Sequence, residues 1–140
     1  MLINQIAVFL ENRQGRIRDF SKVLKDAGIN ILAMYVADTE EFGILRAVTD
    51  DNAKAVEVLK DNGFNTAVTD LVAFQVDDKP GEMYKVLEIL GDAGVNINYL
   101  YSFTRTSRKS AVILIKVDDN EKTTAILKEH SINLVNEGLI

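Results

Sequence analysis

The apolar residues of this chain follow two alternating patterns. Residues 3–10 are mostly aliphatic and β-branched, which is typical of a strand. Residues 16–27 instead place apolar side chains three and four positions apart, at Ile17, Phe20, Leu24 and Ala27, which predicts a helix with one buried stripe. The two patterns recur in the order strand, helix, strand, strand, helix, strand, and that order occurs twice.

Each copy of this order has predicted boundaries. In the first copy we expect strands at 3–10, 31–37, 43–49 and 64–69, with helices at 16–27 and 52–62. In the second copy we expect strands at 71–76, 96–104, 111–117 and 132–135, with helices at 81–93 and 120–130. Only Asp70 lies between the copies, so we predict two domains, 1–70 and 71–140, with no flexible linker.

The two copies match where the chain must turn. The pairs Gly15 and Gly81, Gly28 and Gly94, and Asn30 and Asn96 all lie 66 positions apart. A period this long indicates a duplicated small domain rather than a solenoid. The central hairpin of the second copy is longer, because the offset grows to 68 between Asp50 and Asp118.

The order β-α-β-β-α-β in each copy predicts an α+β fold made of two ferredoxin-like domains. Because crossover connections are right-handed, both helices of a copy should cover one face of an antiparallel sheet. The expected strand order within a copy is 4-1-3-2, so the second strand lies at an edge. Exposed edge strands can pair with another chain, and we therefore also expect a homodimer.

Composition limits the class of protein, the compartment and the partners that we expect. Of 140 residues, 47% are hydrophobic and 26% are charged, as in an ordinary soluble protein. The absence of cysteine excludes disulfides, thiolate metal sites and cysteine nucleophiles, and it fits a reducing compartment. The first strand begins without a basic leader and is too short to span a bilayer, so we expect a cytoplasmic protein with no membrane partner. The net charge of −5 makes nucleic acid a poor partner.

The turn after the first strand of each copy is the strongest candidate for a binding site. It is Asn12-Arg13-Gln14-Gly15 in the first copy and Asp78-Lys79-Pro80-Gly81 in the second. A glycine there lets amide N–H groups and the positive end of the following helix face one concavity, which attracts a carboxylate or phosphate. A tight turn at a helix start, with Asn12 or Asp78 near the cap, is the structural alternative.

Asn30 and Asn96 are the second candidate, because each begins the second strand of its copy. A side-chain amide both donates and accepts hydrogen bonds, so it can hold the carboxylate and the ammonium group of one amino acid. An asparagine tolerated at a backbone turn would explain the same residue without any ligand.

The remaining polar residues carry weaker signals. His130 stands alone, and the acidic pairs Asp77-Asp78 and Glu40-Glu41 fit solvated turns better than an acid–base couple. We interpret the basic cluster Arg13, Arg16, Arg18 and Lys22 as a solvated helix face. The chain has no dinucleotide fingerprint, no P-loop and no nucleophile elbow. We therefore expect no metal, no cofactor and no catalytic residue.

These motifs resemble the ACT domain family, here as a tandem pair over essentially the whole chain. The family pattern is a strand, then D/N-x-P-G, an amphipathic helix and G-(I/V)-N-I. Asp78-Lys79-Pro80-Gly81 with Gly94-Val95-Asn96-Ile97 follows the pattern closely. The first copy departs from it at Gln14, where proline is usual.

The resemblance implies a regulatory module that binds a free amino acid between two domains, which pair through helices or edge strands. The glycine-turn amides would meet the carboxylate, and the asparagine would help to fix the polar end. By position, one site would comprise Asn12, Arg13, Gln14, Gly15 and Asn30, and the other Asp78, Lys79, Gly81 and Asn96. An acidic Asp78 would repel a ligand carboxylate, so we expect one class of site to be occupied and favour the first copy.

The leading hypothesis is a non-catalytic regulatory protein that binds a free amino acid. The alternative is an adaptor or regulatory subunit that binds a separately encoded metabolic enzyme, with or without a ligand. RNA-recognition domains share this topology, but they need stacking aromatic residues on the third strand, and 43–49 and 111–117 have none. A small enzyme on this fold would need a nucleophile or an acid–base set, and none is visible.

Overall fold

The computed structural model describes residues 2–37, 42–103 and 108–136. The elements in chain order are β1 (Leu2–Glu11), α1 (Arg16–Asp26), β2 (Ile31–Ala37), β3 (Phe42–Thr49), α2 (Asn52–Asp61), β4 (Asn65–Asp77), α3 (Glu82–Asp92), β5 (Ile97–Ser102), β6 (Ser110–Val117), α4 (Asn120–Glu129) and β7 (Asn133–Val135). The chain divides into two compact units. The N-terminal unit is Asn4–Thr69, and the C-terminal unit is the chain from Asp70 onward with the first three residues.

The sheet of the N-terminal unit has the predicted strand order. Strands β2, β3, β1 and β4 are neighbours in that sequence, which leaves β2 at an edge. Both β1 and β2 run antiparallel to β3, with Leu45 opposite Val8 on one side and opposite Val36 on the other. This register places the apolar alternate residues of β1 and β3 on the same face.

The core of the N-terminal unit lies between this face and its two helices. Phe20 and Leu24 of α1 and Leu59 of α2 are completely buried, as are Ile6 and Val8 of β1. The helical residues recur at spacings that keep them on one side, and the strand residues alternate with period two. Burying a side chain of this size stabilises the fold by about 1.5–3 kcal/mol.

The C-terminal unit repeats the arrangement. Strands β6 and β7 both run antiparallel to the second part of β4, and β5 pairs with the far side of β6 at the edge. Its core buries Val86 and Leu90 of α3 and Leu127 of α4 against Val72 and Phe74 of β4. The α+β fold of two ferredoxin-like halves is therefore confirmed.

Two details of the prediction are wrong. β4 is one strand, Asn65–Asp77, where we predicted two strands separated by Asp70. No glycine or proline occurs in this stretch, so an exposed Asp70 does not interrupt the extended backbone. Ile17, predicted to be buried, is 46% exposed, because it lies in the first turn of α1 and the buried stripe begins only at Phe20.

The other helix and strand ends agree with the prediction to within one or two residues, which is the usual uncertainty of such limits. The predicted end of the fifth strand at Thr104 and the acidic pair Glu40-Glu41 lie outside the described residues. The assignment of 1–70 and 71–140 to separate domains stays a prediction.

Candidate functional site

The turn between β1 and α1 is built around Gly15, which has φ 90° and ψ −10°. Glycine adopts this positive φ readily, whereas other residues are strained there. The amide of Arg13 donates to the carbonyl of Glu11 at 2.9 Å, and the amide of Asp19 donates to the carbonyl of Gly15 at 2.9 Å. The chain therefore reverses within a few residues, and the helix begins at Arg16.

Three amides at the start of α1 have no acceptor among the described residues, whereas the amide of Arg16 donates to the carbonyl of Arg13 at 3.4 Å. No side chain caps this helix, and among the described residues the amides of Gly15, Ile17 and Arg18 donate to no oxygen. The next helix differs, because Asp51 caps it and accepts a hydrogen bond from the amide of Lys54 at 3.0 Å. The start of α1 thus leaves N–H groups and the positive end of the helix dipole available to an anion.

The turn between β4 and α3 has the same backbone. Gly81 has φ 89° and ψ −12°, and no side chain caps α3. The amide of Lys79 donates to the carbonyl of Asp77 at 2.9 Å, as Arg13 does to Glu11 in the first turn. Both glycines thus sit where the duplication predicts them, each in the left-handed conformation.

The two turns differ in charge. Residues 11–18 carry three arginines and one glutamate, whereas residues 77–84 carry three carboxylates and one lysine. The next residue of each range is the ion-pair partner of charges within it, since Asp19 lies 3.4 Å from Arg16 and 3.7 Å from Arg18, and Lys85 lies 2.7 Å from Glu82. With these partners included, the formal charge is +1 for residues 11–19 and −1 for residues 77–85. Because an anion is attracted to positive potential, the first turn is the better place for a carboxylate.

Arg16 and Arg18 account for most of this difference. Arg18 Nη2 lies 3.0 Å from the position that a Cβ atom on residue 15 would occupy. The guanidinium carbon of Arg16 lies 4.6 Å from the centre of the Phe64 ring, and its Nη1 lies 3.4 Å from Asp19 Oδ2. Arg16 Nε is buried and has no hydrogen-bond partner within the described ranges.

Sequence reasoning missed these two arginines as site residues and assigned them to a solvated helix face. That interpretation holds for Arg18, whose side chain is 82% exposed, but the side chain of Arg16 is only 19% exposed. The feature of the sequence that could have identified these two residues is their position within three residues after Gly15. The matched residues of the second copy, Glu82 and Tyr84, carry no positive charge.

The other turn residues that we predicted from the sequence to bind a ligand are all exposed. Asn12, Arg13 and Gln14 are exposed, and Arg13 Nε pairs with Glu11 Oε2 at 2.7 Å. In the second turn Asp78, Lys79 and Gly81 are exposed. The amide of Asp78 is already committed, since it donates to the carbonyl of Lys109 at 2.9 Å.

The two asparagines have different surroundings. The amide of Asn30 donates to Oδ1 of Asp50 at 3.0 Å, and the amide of Asp50 donates to the carbonyl of Asn30 at 3.1 Å. The side chain of Asn30 is exposed and makes no hydrogen bond to any described residue. In contrast, Asn96 Nδ2 donates to Asn98 Oδ1 at 3.0 Å, and Asn98 Nδ2 donates to Asp118 Oδ1 at 3.1 Å.

Within one unit, the glycine turn and the asparagine lie at opposite ends of a helix. Gly15 precedes α1 and Asn30 follows it, and the helix has 11 residues. At 1.5 Å per residue they are separated by about 16 Å, which exceeds the length of a small amino acid. Gly81 and Asn96 stand in the same relation to α3. A single ligand can reach a turn and an asparagine only if the two come from different domains.

The N-terminal unit also has an open cleft between α1 and α2, with a volume of about 670 Å³. Its lining includes the basic residues Arg16, Lys22 and Lys54, the acidic residues Asp19 and Asp26, and the ring of Phe64. Most of these charges already have partners: Lys22 pairs with Asp26 at 2.7 Å, and Lys54 Nζ donates to the carbonyl of Ala27 at 2.8 Å.

Other site types have no support in the described part of the chain. There, no group of three or more potential metal-ligating side chains comes together. The helices described here are all too short or too polar to cross a lipid bilayer.

A duplicated βαββαβ fold, with a glycine turn before the first helix of each copy, is the arrangement expected of a tandem pair of ACT domains. The sequence model of the ACT domain pair family matches residues 1–139. The chain therefore belongs to this family.

Solved structures share this fold. Protein BT0572 of Bacteroides thetaiotaomicron is 35% identical with a TM-score of 0.93, and the match covers 99% of this chain and 95% of that one. The ligand-free regulatory subunit of aspartate kinase from Thermus thermophilus is 16% identical with a TM-score of 0.65, over 91% of this chain and 93% of that one. The corresponding subunit from Thermus flavus is 19% identical with a TM-score of 0.63, over 91% and 90%. At these identities the two kinase subunits show a shared fold alone. No protein of curated function matches the sequence.

Proposed function

We propose that this chain is a non-catalytic regulatory protein that binds a free amino acid, with the ligand carboxylate held at the Gly15 turn. The observation that carries the proposal is the combination of uncapped amides at the start of α1 with the positive charge around them. Each feature alone is common at helix starts. The turn at Gly81 also has uncapped amides, but the charge around it is negative where the charge around Gly15 is positive. A carboxylate therefore has one favourable turn in this chain.

The ammonium end of the ligand needs a partner from another ACT domain, because Asn30 lies at the far end of α1. We propose that an asparagine at the start of a second strand supplies it. The ligand would then bridge two domains, in one chain or in two, and would favour one way of packing them. Such binding regulates only if the packed and unpacked states differ in affinity for something else. We place this function in the cytoplasm, as the cysteine-free composition led us to expect.

Thermal unfolding with each of the common amino acids tests the proposal. A ligand present at about a hundred times its Kd stabilises a protein by about 2.7 kcal/mol, which raises Tm by about 5–10 °C for a chain of this size. The matched control is the α-amide of the same amino acid, which lacks the carboxylate and should give no shift. An absence of shift with every amino acid, or an equal shift with the amide, would contradict carboxylate capture.

The second candidate is a regulatory subunit for a separately encoded metabolic enzyme. The observation that favours it is that a kinase regulatory subunit of nearly the same extent has this fold. The test is reconstitution: a purified partner enzyme should change its kcat or KM when the chain is added. A change that requires an amino acid would join the two candidates, and co-purification without any kinetic effect would count against this one.

A further inference from the structure

The cleft between α1 and α2 is formed by the N-terminal unit alone. All of its lining residues lie between Arg16 and Phe64, and its volume of about 670 Å³ is in the range of small-molecule sites. The matching end of the C-terminal unit has a pocket of about 170 Å³, lined among others by Glu82, Lys85 and Ile132. The cleft is therefore larger in the first copy, and its shape does not depend on a second domain.

Two of the three cations that line the cleft already have partners. Lys22 pairs with Asp26 at 2.7 Å. Lys54 Nζ donates to the carbonyl of Ala27 at 2.8 Å, and this carbonyl lies at the end of α1, where carbonyl groups have no partner within the helix. The third cation, Arg16, is therefore the one whose N–H groups are available to a ligand.

Arg16 has more donors than the described residues satisfy. A guanidinium group carries five N–H donors, and among the described residues Arg16 makes one hydrogen bond, the long contact of 3.4 Å from Nη1 to Asp19 Oδ2. Nε is buried and has no hydrogen-bond partner there. Because a buried charged donor without an acceptor is unfavourable, an anion that reaches this group would be stabilised by it.

The guanidinium of Arg16 is held in place before any ligand binds. Its carbon lies 4.6 Å from the centre of the Phe64 ring, which is within the range of an attractive cation–π contact. That ring meets the ring of Phe20 edge-on, with centroids 6.4 Å apart. Since Asp19 occupies Nη1, the edge formed by Nε and Nη2 matches the two oxygens of one carboxylate. A group that is ordered in advance binds with a smaller loss of entropy.

The walls of the cleft add apolar surface and limit the charge of the occupant. Val23 and Val58 line it and are only partly buried, so a ligand that covers them removes apolar surface from water. Val23 is seven positions from Arg16, about 10 Å along the helix, which leaves room for a hydrocarbon body behind a carboxylate. Asp19 and Asp26 also line the cleft and would repel a second anionic group. The lining thus suits a monocarboxylic acid better than a dicarboxylate or a nucleotide.

We propose that the cleft between α1 and α2 is a second ligand site, which binds a monocarboxylic acid with an aliphatic body. Arg16 holds the carboxylate through Nε and Nη2, after a small rotation of the side chain that opens Nε to the cleft. The aliphatic body lies between Val23 and Val58. The site is separate from the proposed amino-acid site, because it uses no amide of the Gly15 turn and no residue of a second domain. Its occupant needs no ammonium group.

NMR titration of the isotope-labelled full chain with hexanoate tests the site and locates the probe. The Nε–H resonance of Arg16, assigned by its loss in Arg16→Lys, should shift and saturate together with the amide resonances of Val23 and Val58. Hexanamide has the same body without the charge and should bind at least about tenfold more weakly. Shifts confined to the amides of residues 15–18, shifts that do not saturate, or an equal affinity for hexanamide would overturn the proposal.

Arg16→Lys tests the anchor, and Arg108→Lys is its matched control. Lysine keeps the charge but lacks the planar pair of donors and the stacking on Phe64, so hexanoate should bind at least about tenfold more weakly. Arg108 is exposed in the C-terminal unit and does not line the cleft, so the same change there should leave the affinity unchanged. If Arg16→Lys binds hexanoate as tightly as Arg108→Lys, Arg16 does not hold the carboxylate and the proposal fails. The wild-type titrations with hexanoate and hexanamide decide the question if Arg16→Lys does not fold.

Discussion

Replacing Gly15 by alanine tests the turn most directly, and Gly81→Ala is its matched control. The two glycines have φ of 90° and 89°, where a side chain is strained by about 1–3 kcal/mol. Alanine also restricts the unfolded chain, which returns about 0.4–1 kcal/mol. Each substitution should therefore lower the free energy of unfolding by about 1–2 kcal/mol, a fall in Tm of several degrees.

The surroundings of the two glycines differ in one respect. A Cβ on residue 15 would lie 3.0 Å from Arg18 Nη2, whereas a Cβ on residue 81 would have no neighbour within 4 Å. The side chain of Arg18 is 82% exposed, so it can move away at little cost in stability. Its displacement would nevertheless take a positive charge away from the turn. The two variants should thus lose similar stability, but only Gly15→Ala should bind an amino acid at least about tenfold more weakly.

Circular dichroism melts and calorimetric titration with the amino acid that shifts the wild-type Tm give the two measurements on the same samples. If neither variant loses stability, the turns do not have positive φ, and the geometry of the site is refuted. If Gly81→Ala weakens binding as much as Gly15→Ala, the charge difference between the turns does not select the carboxylate site, and the assignment to the first copy fails.

Three further predictions concern packing, capping and protonation. Leu24→Ala should lower the free energy of unfolding by about 2–5 kcal/mol, because the side chain is completely buried. Ile17→Ala should change it by no more than about 0.5 kcal/mol. Equal losses of the two variants in urea unfolding would contradict the burial pattern. Asp51→Ala removes the cap of α2 and should cost about 0.5–2 kcal/mol by the same measurement; no loss would mean that the cap is not formed in solution. The hydrogen bond from the Tyr84 hydroxyl to Glu88 raises the pKa of Tyr84 above its ordinary value of 10.0. Phenolate absorbance, taken as the difference between wild type and Tyr84→Phe, should show a midpoint above that value, and Glu88→Gln should lower it; a midpoint that Glu88→Gln leaves in place would contradict this contact.

The fold was predictable because local signals and the duplication agree. Period-two and helical spacings located the elements, and glycines at equal offsets located the turns. The continuity of β4 was not predictable, since a charged residue between two apolar runs resembles a break when its neighbours in the sheet are unknown. The exposure of Ile17 was missed for a related reason: a helical stripe shows which side is apolar, but not where the sheet beneath it ends.

The candidate site was predictable in its backbone and less so in its side chains. The positive φ of Gly15 follows from the need to reverse the chain before a helix, and the second copy supplied an independent example. The role of Arg16 was hidden, because a cluster of arginines at helical spacing usually belongs to a solvated face. It contacts the ring of Phe64, which follows α2 and is 48 residues away in sequence. Long-range contacts of this kind are not visible in local patterns.

The duplication has kept the backbone of the two copies and changed the charges on it. Both first helices begin at an uncapped glycine turn, so the capacity to hold an anion is common to both. Glu82 stands at the position that matches Arg16, so the charge beside the amides favours an anion only in the first copy. Two turns of identical charge would compete for the same ligand. The difference in charge therefore favours the first turn for the proposed carboxylate, although the two turns have nearly the same backbone.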